Sequence, residues 1–256
     1  MNGGDGHLWK DWVSPLVAEA LGTFTLVFAG TGAIVINHVT GGSVTHVGIG
    51  LTFGLAVMAL IHTFGPVSGA HMNPAVSIGL WTAGLLHGPA WPASPRRELK
   101  LSLYIAAQCA AACLASFVLL TLFAEDLQRV SPDRPDVHLG ATLPRGAPFQ
   151  TFWIELLLTW FLMLAVLQVV TGPADMRPLV GMVIGGVVGL EAIFAGPITG
   201  ASMNPARSLG PALVSGHWQH LWIYWVACPL GALLAVPCHH LIKRDPVNPP
   251  VSFEPD

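Results

Sequence analysis

Two stretches carry most of the polar chemistry. Ser68–Val76 reads SGAHMNPAV, and Thr199–Arg207 reads TGASMNPAR. Extended upstream, GPVSGAHMNPA and GPITGASMNPA agree at eight of eleven positions, with Val/Ile and Ser/Thr among the mismatches. Asn is a strong helix N-cap, and proline suits the first helical position, where no N–H partner is lost. Asn73-Pro74-Ala75 and Asn204-Pro205-Ala206 are therefore two helix starts. Each offers a side-chain amide as donor and the positive end of a helix dipole. A single copy would be an ordinary cap; two copies half a chain apart ask for a shared purpose. Arg207 follows the second copy directly, where the first has Val76. A cation in an apolar setting is expensive and by default functional. Glu19 and Glu155 are expensive for the same reason and need partners.

The setting is a bilayer. The chain has 256 residues, 53% hydrophobic and 10% charged, against about 25% charged in a soluble domain. Mean hydropathy is +0.62. No Asp, Glu, Lys or Arg occurs between Glu19 and Arg96. Six long apolar segments fall near 15–36, 46–64, 101–123, 151–171, 178–195 and 219–241. Each matches the roughly 20 residues that a spanning helix needs. Two shorter pieces, 74–86 and 205–214, begin at the two Asn-Pro pairs. At about 1.5 Å per residue they reach only part-way across.

Arginine and lysine counts set the orientation. With the N-terminus inside, Lys10, Arg96, Arg97, Lys100, Arg177, Lys243 and Arg244 lie on the inner side. Arg129, Arg134 and Arg145 lie outside, with 125–148 as an external loop. Trp9, Trp12, Trp91, Trp153, Trp218 and Trp222 fall near segment ends, as interfacial anchors do.

The repeat extends beyond the doubled signature. Glu19-Ala-Leu-Gly-Thr23 echoes Glu155-Leu-Leu-Leu-Thr159, and Gly54 and Gly185 each stand nineteen residues before their Asn. One repeat runs over about 12–123 and the other over about 149–242, with 243–256 as a short inner tail. Each repeat holds three spans and one half-helix. Three is odd, so the second repeat inserts upside down relative to the first. Inverted repeats place a site near the membrane midplane. There the two half-helices meet head to head, and Gly54 and Gly185 let two spans cross closely. Irregular backbone at that depth must be buried or line water. Gly65, Gly69, Gly196 and Gly200 are expected in it, with free carbonyls as acceptors.

The chain resembles the major intrinsic proteins, the aquaporin family, over nearly its whole length. The resemblance rests on AEALGTFTLVFAGTG, SGAHMNPAV, YIAAQ, Glu155 and TGASMNPARSLGPALVSG. The stretch from Phe194 to Tyr224 is similar to nodulin-like plant members and their bacterial relatives. The resemblance implies an all-α, right-handed bundle of six spans and two half-helices, with one pore per subunit. It also implies a homotetramer in the cell membrane. The implied activity is passive passage of water and small uncharged solutes, with ions and protons excluded. Carried over by motif, the selectivity constriction is Phe53, Ala192, Ala201 and Arg207. Glu19 and Glu155 would brace the half-helix loops, with His71 as a partner for Glu19.

One constriction position departs from the strict water-channel pattern. Ala192 stands where that pattern has histidine, which widens the lane and removes a donor. Ser208 and Tyr224-Trp225 look water-type. The expectation is water together with glycerol, urea or undissociated metalloid acids.

The remaining polar residues are weighed against plainer roles. Glu191 beside Ala192 faces a neighbouring helix, is protonated, or tunes pore polarity. His62 is expected as a polar group within the bundle, and His239-His240 as an interfacial pair. Cys109, Cys113, Cys228 and Cys238 are expected as small buried hydrophobes. No metal or cofactor is expected. No basic run tracks a nucleic acid, and no nucleophile–base set suggests an enzyme. Broken helices in inverted repeats also build secondary transporters, the alternative class, which would need a coupling-ion site. A structural membrane junction is a third class, to which no residue points.

Overall fold

The computed structural model describes residues 12–86, 97–130 and 138–242. Eight α-helices lie in these stretches. They are α1 (Ser14–Val39), α2 (Thr45–Ser68), α3 (Pro74–Thr82), α4 (Arg97–Val130), α5 (Pro148–Val170), α6 (Val180–Thr199), α7 (Pro205–Ser215) and α8 (Leu221–Ile242). A short 3₁₀ turn, Ala174–Leu179, leads into α6. Six helices are long and apolar enough to cross a membrane, while α3 and α7 have 9 and 11 residues. The whole is an all-helical membrane bundle of six spans and two half-helices.

Close backbone approach fixes the crossings. A Cβ on Gly54 would lie 2.6 Å from the Gly185 carbonyl oxygen, and one on Gly185 would lie 2.5 Å from that of Gly54. Glycine is required there because α2 and α6 touch through their backbones. Two further crossings use the same device. A Cβ on Gly210 of α7 would run into the Ala112 carbonyl of α4, and one on Gly231 of α8 into the Leu156 carbonyl of α5. The half-helices are exchanged: α3 packs on α8, and α7 packs on α4.

Several expected boundaries move. α4 continues through Val130, so the external loop begins later than residue 125. Leu127 supports the extra turns by packing with Val35 and Leu139, and Asp126 pairs with Arg129 at 3.3 Å. α3 stops at Thr82 instead of 86. α2 and α6 run past their prolines to Ser68 and Thr199. The carbonyls of Gly65 and Gly196 are therefore occupied by Gly69 and Gly200 N–H, each at 3.0 Å. They do not belong to a free acceptor ladder. Trp153, Trp218 and Trp222 are exposed at helix ends. Trp9, Trp91, Lys10, Arg96, Arg134, Lys243, Arg244 and the 243–256 tail lie outside the described residues.

Candidate functional site

Each half-helix is reached through a tight, strained turn. Gly69, Ala70 and Met72 have φ of 89°, 49° and 49°; Gly200, Ala201 and Met203 have 86°, 40° and 54°. Non-glycine residues in this region cost about 1–3 kcal/mol each and persist only where their surroundings hold them. Two buried carboxylates do so. Glu19 Oε1 accepts from Ser68 Oγ (2.7 Å) and His71 N–H (2.8 Å), and Oε2 from Met72 N–H (2.7 Å) and Gln108 Nε2 (2.8 Å). Glu155 Oε1 accepts from Thr199 Oγ1 (2.7 Å) and Ser202 N–H (2.9 Å), and Oε2 from Met203 N–H (3.0 Å). Tyr104 donates to Ser68 O at 2.9 Å, and Tyr224 donates to Thr199 O at 2.6 Å. His71 meets Glu19 through its backbone N–H, not its ring. The ring Nδ1 lies 3.1 Å from Ser77 Oγ, because Glu19 is already filled by other donors.

The two asparagines cap their helices and reach across. Asn73 Oδ1 accepts from Ala75 N–H at 2.8 Å, while Nδ2 donates to Met203 O at 2.8 Å. Asn204 Oδ1 accepts from Ala206 N–H at 3.0 Å, while Nδ2 donates to Met72 O at 2.8 Å. Pro74, Ala75, Pro205 and Ala206 are buried at the two starts. The head-to-head meeting is thus a reciprocal pair of hydrogen bonds.

A narrow lane passes this meeting point. Its free volume is about 100 Å³. Its lining combines apolar Val57, Leu162, Val166, Ile184 and Val188 with residues 69–73 and 201–204, Asn73 and Asn204 among them. Next to it is a mouth of about 820 Å³. Phe53, Ala192 and Arg207 line both spaces, so they stand where lane becomes mouth; Ala201 lines the lane alone. Arg207 is 3% exposed, its guanidinium lies 5.0 Å from the Phe53 ring centroid, and Nη1 donates to Gly140 O at 2.6 Å.

Gly140 and Thr142 were not expected here. Gly140 has φ of 72° and a Cβ would strike Thr31 Cβ at 2.9 Å, so only glycine presents that carbonyl. Thr142 Oγ1 donates to Ser208 Oγ at 2.8 Å, and Arg145 N–H donates to Ile198 O at 2.9 Å. The segment after 138 therefore folds into the mouth instead of standing outside it. One isolated glycine in a polar stretch carries no signal for this. Gln108 and Tyr104 lie in the quoted YIAAQ, and their spacing matches Tyr224 and Cys228, whose Sγ lies 3.7 Å from Glu155.

Other expected residues fall elsewhere. Glu191 is buried but lines neither space, and both its oxygens lack a hydrogen-bond partner among the described residues. His62 is exposed beside Gly181, not enclosed in the bundle. His239 is buried near Thr171 and His240 is exposed, with their ring centroids 5.6 Å apart in the last turn of α8. Cys109, Cys113 and Cys238 are only half-buried, whereas Cys228 is fully buried. Ser208 and Tyr224 are bonded behind the loop, and Trp225 faces outward. No group of three or more metal-type side chains converges among the described residues.

A family model described as major intrinsic protein matches residues 9–239. The chain belongs to the major intrinsic protein family. Relatives include Aquaporin NIP1-1 of Zea mays, 37% identical over 91% of this chain and 76% of that protein. Aquaporin NIP1-4 of Oryza sativa subsp. japonica is 41% identical over 89% of this chain and 76% of its own length. The X-ray structure of the aquaglyceroporin from Plasmodium falciparum superposes with a TM-score of 0.77 at 27% identity. It covers 91% of this chain and 97% of that one. As a major intrinsic protein, the chain is an integral membrane channel and not an enzyme.

Proposed function

We propose that the chain is a passive, bidirectional channel for water and small uncharged solutes such as glycerol, urea or undissociated metalloid acids. The reciprocal Asn73–Met203 and Asn204–Met72 bonds beside a lane leading to Arg207 carry this reading. A solute in the lane meets both hydrogen-bonding groups and hydrocarbon, which suits a short polyol. Phe53, Ala192, Ala201 and Arg207 form the selectivity constriction, and the small Ala192 leaves room for more than water. Two converging helix N-termini and Arg207 disfavour cations, the electrostatic barrier general to aquaporin-type pores.

Glu19 and Glu155 keep the loops in their strained form, with His71 contributing its backbone N–H. The two repeats lie inverted, both termini are cytoplasmic, and the protein sits in the cell membrane as a homotetramer. The names of the aquaporin and aquaglyceroporin relatives support the solute class.

Stopped-flow light scattering on proteoliposomes tests the activity. An impermeant osmolyte should shrink the vesicles faster than protein-free ones, and a glycerol gradient should be followed by re-swelling. Shrinkage without re-swelling removes the solute half of the proposal. Solute flux that requires a proton gradient overturns the passive mechanism.

A further inference from the structure

A proline opens a gap in α6 beside the constriction. Pro197 lies inside the helix and has no N–H, so the carbonyl of Ile193, one turn earlier, loses its helical donor. His46 fills the gap from α2: its Nε2 reaches Ile193 O. A carbonyl only accepts, so Nε2 carries the hydrogen, a tautomer assigned from this contact. The ring is seated as well as bonded. It lies over Gly196, where a Cβ would come within 2.9 Å of His46 Cε1. Four residues along α2 from His46, a Cβ on Gly50 would run into the Ile193 side chain. Ile193 is therefore gripped through its side chain and its carbonyl by the same neighbouring helix.

The bond joins two walls of the constriction. His46 and Phe53 are seven residues apart on α2, about two turns along one face, and both line the mouth. Ala192 immediately precedes Ile193, and Ala192 and Gly196 line the same mouth at i,i+4 spacing on α6. Phe53 thus comes from α2 and Ala192 from α6, and the gap between them is one dimension of the opening. Deeper in, Gly54 and Gly185 hold these helices backbone to backbone. Toward the mouth, α6 is weakened by its proline, and the His46 bond ties it back to α2.

We propose that His46 positions Ala192 through the Ile193 carbonyl, and that this tie holds the constriction to one width and so sets its discrimination among polyols by size. This rests on the reading of the chain as a solute channel. Without the imidazole donor, Ile193 O turns to water in the mouth, and the outer turns of α6 gain freedom to swing. A fluctuating wall affects solutes unequally. Water passes narrow and wide forms alike, whereas a bulkier polyol passes only the wide ones. Loss of the tie therefore favours the larger solute.

The test measures the permeability of proteoliposomes to water, glycerol and the four-carbon polyol erythritol. His46→Ala should raise the erythritol-to-glycerol ratio several-fold and leave water permeability little changed. His46→Phe keeps a ring over Gly196 but has no donor, and it should raise the ratio as well. His46→Gln supplies an amide N–H and should bring the ratio back toward wild type. Pro197→Ala provides an independent arm, because it gives Ile193 O a helical donor of its own. In that background His46→Ala should shift the ratio much less than it does alone. A His46→Phe variant with the wild-type ratio overturns the proposal. So does a His46→Gln variant that matches His46→Phe, or a His46→Ala shift that is undiminished in the Pro197→Ala background. Size exclusion and thermal melting in detergent identify any variant that fails to fold, and the comparison of His46→Phe with His46→Gln then decides. Wild-type vesicles that pass water but neither polyol remove the solute reading; the tie is then judged by whether His46→Phe, unlike His46→Gln, admits glycerol. Wild-type vesicles that pass no more water than protein-free ones bring down the channel reading and this proposal with it.

Discussion

Glu155 accepts from the backbone N–H groups of Ser202 and Met203 in a fully buried site. Glu155→Ala leaves both donors orphaned. At about 1–3 kcal/mol for each unsatisfied buried group, the loss is roughly 2–6 kcal/mol. The expected result is a large drop in melting temperature in detergent; a variant as stable as wild type would show that the loop holds itself. Glu155→Gln turns an amide NH₂ toward existing donors and should also destabilise, because one oxygen acceptor is gone. At the constriction, Ala192→His should cut glycerol flux selectively while sparing water, measured in the same vesicle assay. Unchanged selectivity would remove Ala192 from the constriction. Residues that occur twice were readable from the chain: Asn73 and Asn204, Glu19 and Glu155. Gly140 has no counterpart to draw the eye, and its value lies in one carbonyl's direction, which side-chain identity does not encode.

Helices here meet wherever glycine removes the obstacle. Gly231→Leu should abolish folded protein, because any Cβ at that position enters the Leu156 carbonyl of α5. Gly54→Leu should destabilise by at least the roughly 1–3 kcal/mol typical of overpacking. Gly186→Ala is the control: nothing lies within 4 Å of its would-be Cβ, so α6 should keep or slightly raise its stability. Size-exclusion profiles and detergent melting curves read all three. The six spans followed from apolar length, and the two half-helices from their Asn-Pro starts. Their ends did not. The extra turns of α4 depend on Leu127 finding Val35 and Leu139, a contact made only after distant segments assemble. Gly65-Pro66 and Gly196-Pro197 looked like breaks, yet both prolines sit inside helices that end at left-handed Gly69 and Gly200.

At the level of the full molecule, neither half is complete without the other. α3 rests on α8 and α7 on α4, and each Asn donates to the opposite loop. Asn73→Ala and Asn204→Ala should therefore be non-additive, with a coupling of about 0.5–3 kcal/mol in a double-mutant cycle on melting. Additive losses would mean that the two bonds act independently. The exchange of half-helices was not readable from the repeats, since self-similarity shows which segments correspond but not which ones touch. The Asn73 amide finds its acceptor 130 residues further along the chain. At a synthesis rate of about 5–20 residues per second, that carbonyl is made roughly 6 to 26 seconds later. Until then the first half-helix stands without the carbonyl that its capping amide will hold, so the centre of the molecule is the last part that the order of manufacture lets close.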